Sequence, residues 1–233
     1  MTRAVFLDAL GTLLELQPPW TLLRARVPGE ISDERLVAAV KAEMDYYKEH
    51  AHEGRDEASL ADLRRRCAEF LSGELGVAIS AEELMRAVRM GAYPDAEPTL
   101  RSLRERGLRL IVVSNWDCSL SNVLERCGLA HLLEGAVSSA EAGARKPDPA
   151  IFAPALELAG CRPDEALHVG DTPEEDLAAA RAAGIRALLI DRHQTGRSSV
   201  HETGGSLRSP LESSERPHTY GDISSLAQIE EHL

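Results

Sequence analysis

The sequence predicts an α/β protein with a mainly parallel sheet and a helical insertion after the first strand. Three observations carry that expectation. Apolar runs of strand length recur at Ala4-Val5-Phe6-Leu7, Leu108-Arg109-Leu110-Ile111-Val112-Val113, Ala166-Leu167-His168-Val169 and residues 186–190. Helical patterns alternate with these runs from Glu97 onward, as in parallel sheets covered on both faces. Between Trp20 and about Arg89 the alternation stops, strand signals are absent, and helical periodicity alone remains. Together these describe a Rossmann-like core, residues 1–15 and 92–233, interrupted by a helical domain over 16–91.

Taken in order, the first run ends on Asp8 and a Gly11 turn. Gln17-Pro18-Pro19 then breaks regular structure. Ile31-Ser32-Asp33 opens a helix with Leu36, Val37, Val40 and Met44 at helical spacing. A second helix runs from about Ser59 through Leu63, Cys67 and Phe70 to Leu75 and stops near Gly76. Ser80 followed by Glu83 is a capping box for a third. In the core, a helix ends at Gly107 and the next strand ends in Ser114-Asn115. Helix 119–126 is stopped by Cys127-Gly128, and Gly135-Ala136-Val137-Ser138 is a weak strand. A helix is expected over 149–159, a strand ending at Gly170-Asp171, and a helix over 173–183 stopped by Gly184. Residues 194–217, rich in Ser, Gly, Arg and Glu, read as a long mobile loop. Residues 222–233 read as a short helix with Leu226 and Ile229 on one face.

Composition narrows the function classes. The 233 residues are 43% hydrophobic, enough for a packed core, and with only 4% aromatics that core must be built largely from Ala and Leu. A net charge of -12 is a poor match to nucleic acid or to an anionic membrane surface, both of which need clustered Lys and Arg. The four cysteines, Cys67, Cys118, Cys127 and Cys161, form no C-x-x-C pair and suggest neither zinc nor a disulfide framework. No apolar run reaches membrane-spanning length, and the strand at the N-terminus leaves no room for a signal peptide. A cytoplasmic protein, monomeric or homodimeric, is the expectation.

Polar groups stand at four strand ends: Asp8, Ser114, Lys146 in the loop after the weak strand, and Asp171 with Asp176. A parallel sheet brings its strand ends to one edge, where open α/β folds bind ligands. The set is chemically coherent. Carboxylates suit a hard cation such as Mg²⁺. A lysine and a hydroxyl suit phosphoryl oxygens. A further carboxylate can attack phosphorus and form an acyl phosphate. Each residue also has a structural reading. Ser114 could cap the next helix, Lys146 could face solvent, and Asp171 and Asp176 could serve a helix dipole. Trp116 is either core filler or a contact to the helical domain. Arg64-Arg65-Arg66 reads as a solvated helix face. Trp20, Tyr46 and Tyr47 read as helix packing.

These motifs, DALGTLL at 8–14, VVSNWD at 112–117, RKPDP at 145–149 and HVGDTPEED at 168–176, resemble in order and spacing the haloacid dehalogenase superfamily. Most of its members are Mg²⁺-dependent phosphohydrolases, and the helical block is similar to their cap domain. The resemblance covers about residues 1–191 and the terminal helix. It implies Asp8 as nucleophile, with Mg²⁺ held by Asp8, the carbonyl of Leu10 and Asp171. Asp176 either supports the metal's water shell or orients Lys146. Ser114 and Lys146 bind phosphoryl oxygens, amides around Asn115 add to them, and Thr12 hydrogen-bonds near the nucleophile. The implied substrate is a small phosphorylated metabolite.

One position departs from the pattern. Two residues after the nucleophile, phosphatases of this group carry a second Asp that protonates the leaving group and activates water. Here it is Leu10. Three readings follow: a phosphohydrolase with weakened or selective turnover, a fold retained for binding or regulation, and a 2-haloacid dehalogenase. That last group also lacks the second Asp, but needs no metal, so the Asp171/Asp176 pair fits it less well.

Overall fold

The computed structural model describes residues 1–192 and 221–233; the loop expected over 194–217 lies outside the described residues. β1 (Ala4–Leu7), β4 (Arg109–Ser114), β5 (Gly135–Ser138), β6 (Ala166–Gly170) and β7 (Arg186–Leu189) form one five-stranded sheet. Their order is β5-β4-β1-β6-β7, and every pairing is parallel. From β1 the chain builds outward to β4 and β5 on one side, then to β6 and β7 on the other. The C-terminal end of β1 is therefore the switch point at which such sheets open a crevice.

All four residues of β1 are buried. Because side chains alternate across a strand, they serve two cores. Val5, Leu7, Leu110, Val112, Leu167 and Val169 pack on one face against α5 (Ala96–Glu105), α6 (Leu120–Arg126) and the terminal 3-10 helix Leu226–His232. Phe6, Ile111 and Val113 pack on the other face against the helix pair Pro149–Phe152 (3-10) and α8 (Ala153–Ala159), and against α9 (Ala178–Ala182). Leu226 and Ile229 are both fully buried, as their shared face requires. Trp116 is core filler on the first face.

The helical insertion holds α1 (Pro19–Leu23), α2 (Asp33–His50), α3 (Glu57–Leu75) and α4 (Ala81–Ala87). It has its own apolar core, with Leu36, Val40, Leu63, Leu71 and Leu84 at its centre. Ser32 caps α2, Asp56 and Ser59 form a box on α3, and Ser80 with Glu83 forms the box expected on α4. Trp20, Tyr46 and Tyr47 pack on this core. Arg65 and Arg66 form ion pairs on the α3 surface with Asp62, Glu69 and Glu53. No helix among the described residues is long and apolar enough to cross a membrane.

Three expectations need correction. The block is not helical throughout: β2 (Leu14–Gln17) and β3 (Arg89–Ala92) pair antiparallel where the insertion leaves and rejoins the core. Pro19 does not stop the chain but begins α1, because proline fits the first helical turn, where its missing N–H has no partner to lose. The helix expected from Pro173 starts as a π-helical turn, Pro173–Leu177, before α9. α7 (Ser139–Ala142) is a short turn of helix after β5.

Three contacts fasten the insertion to the core near the strand ends. The Tyr47 hydroxyl donates to Asp117 Oδ2 at 2.8 Å, the Cys118 amide to the Gly54 carbonyl at 2.8 Å, and the Arg145 guanidinium to the Glu49 carbonyl at 3.3 Å.

Candidate active site

The end of β1 delivers Asp8 into the crevice. Its amide donates to the Val169 carbonyl at 2.9 Å, so the carboxyl is anchored at the sheet edge between β4 and β6. The chain then folds back at once, with the amides of Leu13 and Leu14 donating to the Ala9 carbonyl. Gly11 takes φ +83°, and a β-carbon there would sit 2.2 Å from Asp171 Oδ2. The glycine is thus required twice, by the left-handed turn and by the approach of Asp171. Gly170 is required by approach alone: its β-carbon would lie 2.1 Å from the Asp176 carboxyl carbon.

Lys146 is the centre of the site. It is 1% exposed, although lysines are almost never buried unless paired. Its ammonium donates to Asp8 Oδ1 at 2.6 Å, to Asp176 Oδ1 at 2.5 Å and to the Val113 carbonyl at 3.0 Å, using all three hydrogens. Asn115 fixes the backbone beneath it. Asn115 Oδ1 accepts from the Lys146 amide at 2.8 Å, and its Nδ2 donates to the Lys146 carbonyl and to Glu175, each at 2.9 Å. The expectation for Asn115 concerned the amides around it; its side chain holds the lysine loop.

Asp176 touches Lys146 directly. Oδ1 takes Lys146 and sits 3.0 Å from His168 Nε2, while Oδ2 accepts from the Thr172 amide at 3.0 Å. Oδ2, with one donor only, keeps capacity for a further contact. Ser114 ends β4, buried and near enough to Asp8 to lower that carboxyl, and it does not cap α6. Thr12 departs from expectation: its carbonyl accepts from Arg192, but its hydroxyl is fully buried with no hydrogen-bond partner among the described residues. Leu10 packs its side chain against the main core, and no carboxyl stands in its place.

The charges are unequal by design of their surroundings. Burial alone would lower the Lys146 ammonium, but Asp8 and Asp176 carry it above the ordinary lysine value. Burial works against the Asp176 charge too, yet Lys146 and His168 hold that carboxyl well below its usual range. Asp8 is raised by burial and by the neighbouring Asp176, with Lys146 and Ser114 only partly offsetting. Asp171, which has Thr172 but no ion-pair partner among the described residues, is pushed up to about 7 by burial and by the charges of Asp8 and Asp176.

Oxygens of Asp8, Asp171 and Asp176 all lie within 4.8 Å of one another. With Asp176 Oδ1 given to Lys146 and His168 and Oδ2 to Thr172, the carboxyls of Asp8 and Asp171 have the more open oxygens for one hard cation. Few carboxylates at a partly open rim are what such an ion uses when substrate and water complete its shell. The donor set therefore fits a divalent cation.

A family description for haloacid dehalogenase-like hydrolases matches residues 2–184. The chain belongs to this family. Among curated relatives, haloacid dehalogenase-like hydrolase domain-containing protein 3 of Bos taurus is 45% identical over 95 residues, 41% of this chain and 38% of that one. The phosphoserine phosphatase of Thermus thermophilus is 43% identical over 105 residues, 45% of this chain and 42% of that one. The chain thus spans about two fifths of the length of these relatives. Among solved structures, the L-2-haloacid dehalogenase of Xanthobacter autotrophicus superposes with a TM-score of 0.69 at 22% identity, over 99% of this chain and 98% of that one. At that identity the likeness speaks for the haloacid dehalogenase-like fold, which the five-stranded sheet displays.

His168, Arg192 and the Tyr47–Asp117 contact were not singled out from sequence. His168 had a signal: it is the one polar side chain inside the apolar run Ala166-Leu167-His168-Val169.

Proposed function

We propose that this family member is a Mg²⁺-dependent phosphohydrolase acting on a small phosphorylated metabolite through an aspartyl phosphate on Asp8. The observation that carries the reading is the buried Lys146 ammonium, 2.6 Å from Asp8 Oδ1, beside an Asp171 carboxyl with no ion-pair partner among the described residues. Asp8 attacks phosphorus, and the leaving group departs with the electron pair of the bond that breaks. Ser114 and Lys146 hold phosphoryl oxygens, and Lys146 draws charge off them as the bond forms. Asp8, the Leu10 carbonyl and Asp171 would hold the cation. When bound, it would neutralise phosphoryl charge that two carboxylates would otherwise repel. The phosphatase among the relatives supports the reaction class.

Leu10 shapes the substrate range. Positioned acid–base help contributes about 10²–10⁴-fold. Without it, alkoxides leave poorly, whereas acyl and aryl phosphates leave without a proton. The test is phosphate release from an aryl and an acyl phosphate with Mg²⁺ and with a chelator. Release that ignores the metal, or no release across a wide panel, overturns the reading. Chlorinated 2-haloacids belong in the same panel, because Leu10 also suits attack on carbon; chloride release without metal would favour a dehalogenase. Leu10→Asp is expected to raise turnover of an alkyl phosphate by about tenfold or more. An unchanged rate would mean that another group supplies the proton.

The raised Asp171 carboxyl gives a second expected result. A folded-state value of about 7 means the metal-free protein keeps this proton where the unfolded chain has lost it. Its contribution to stability is complete below the ordinary carboxylate range and disappears as pH climbs through about 7. A cation replaces the proton, so added Mg²⁺ should raise the melting temperature more at about pH 8 than at about pH 5. Asp171→Asn should remove that difference; equal Mg²⁺ shifts at both pH values would count against Asp171 as a ligand.

A further inference from the structure

His168 lies one layer beneath the catalytic edge, on β6, and is fully buried. It shares its face of the sheet with Phe6, Ile111 and Val113, an otherwise apolar file in which a leucine or phenylalanine would pack without any polar atom to satisfy. Its ring meets Phe152 edge-on, with centroids 5.0 Å apart and planes at 74°. Nδ1 has no hydrogen-bond partner, so the site keeps an imidazole at the expense of one unsatisfied nitrogen. What that imidazole touches is Asp176: Nε2 is 3.0 Å from Oδ1, the same oxygen that receives the Lys146 ammonium.

We propose that His168 is a positioning residue for the reaction, acting through Asp176 to hold Lys146 against Asp8. The inference rests on the phosphohydrolase reading for its kinetic part only. A carboxylate held by a single ammonium and one amide can swing about its own side-chain bonds. Asp176 is tied to the Thr172 amide through Oδ2, and His168 adds a third, fixed donor on Oδ1. That donor comes from a β-strand in the middle of the sheet, whereas Thr172 and Asp176 sit on the loop and the π-helical turn. The strand therefore supplies the rigid reference, and the order of contacts runs His168, Asp176, Lys146, Asp8. Because the bonded nitrogen is Nε2 and the acceptor a carboxylate, the geometry calls for a proton on Nε2 and leaves Nδ1 bare.

His168→Leu and His168→Gln separate this role from simple packing. Leucine fills the apolar file and removes the donor. Glutamine can return an N–H to nearly the same place. Groups that orient a reactive residue typically contribute 10–100-fold, so His168→Leu should lower kcat by about 10–100-fold with little change in KM. His168→Gln should recover most of it. Thermal melting should show the leucine variant folded, with the lost donor to Asp176 lowering stability modestly and the glutamine variant restoring it. A leucine variant with wild-type kcat overturns the proposal, as does a glutamine variant that loses as much as leucine.

Two NMR measurements need no substrate. Ring-nitrogen spectra of the wild type should show His168 protonated on Nε2. The Lys146 ammonium, sheltered by three acceptors, should exchange slowly in the wild type and in His168→Gln, and quickly in His168→Leu. An unprotonated Nε2, or unchanged exchange in the leucine variant, overturns the positioning role whether or not a substrate has been found. A wild type inert toward every phosphate, with both NMR results as expected, would count against the phosphohydrolase reading and leave the positioning contact standing.

Discussion

Asp8→Asn is expected to abolish phosphate release while leaving the fold intact. Loss of a nucleophile of this kind lowers kcat by about 10⁴–10⁶-fold, and asparagine can neither form the acyl phosphate nor supply a charged oxygen to a cation. Stability should hardly suffer, for reasons visible in the geometry. Asparagine keeps a carbonyl oxygen where Asp8 Oδ1 accepts from Lys146, and the ammonium retains Asp176 at 2.5 Å. Asp8 is also a source of repulsion: its charge is the largest cause, after burial, of the rise at Asp171. Removing it should let Asp171 fall back toward the ordinary carboxylate range, so the loss of stability between about pH 4 and pH 7 should flatten. Melting curves across pH, with and without Mg²⁺, read all of this without a substrate. Turnover retained in Asp8→Asn would place the nucleophile elsewhere; a collapsed fold would mean that Asp8 is structural.

Much of this site is legible in sequence because its residues stand where local patterns end. Asp8 follows Ala4-Val5-Phe6-Leu7, Ser114 closes Arg109–Ser114, and Asp171 follows Ala166–Gly170; apolar runs mark the strands, and the parallel sheet aligns their ends. The helices of the insertion are legible from their caps at Ser32 and Ser80. What escapes is what depends on a partner distant in sequence. β2 and β3 are four residues each, mostly half-exposed or exposed, and exist because Leu14 meets Ala92 across the whole insertion. Nothing within either segment announces the other. That the Asn115 side chain clamps both backbone groups of Lys146, 31 residues on, is equally invisible in sequence. Thr12 looks like a donor to the nucleophile, yet its hydroxyl is buried with no partner among the described residues.

Replacing Lys146 with methionine should have the largest effect on stability of any single change at the site. Its ammonium satisfies two buried carboxylates and the Val113 carbonyl. Removing one partner of a buried ion pair costs about 3–5 kcal/mol, because the other is left charged in a poor solvent. In a chain of this size, that is a fall of about 6–20 °C in melting temperature. The pH dependence identifies the cause. In the wild type Asp176 is held below its usual range, so its contribution is present above the ordinary carboxylate value and lost as pH falls toward the folded-state value. Without Lys146 that contribution vanishes, and the gap between variant and wild type should open above about pH 4 and close on acidification. The double variant Lys146→Met/Asp176→Leu tests the same account from the other side. Apolar replacements of a buried pair are often neutral or stabilising, so the double variant should recover most of the lost stability. It should recover no turnover, since Ser114 is left without the ammonium that draws charge off the phosphoryl oxygens beside Asp8. A single variant as stable as the wild type would mean that the carboxylates find other partners, and the electrostatic account of Lys146 would fail.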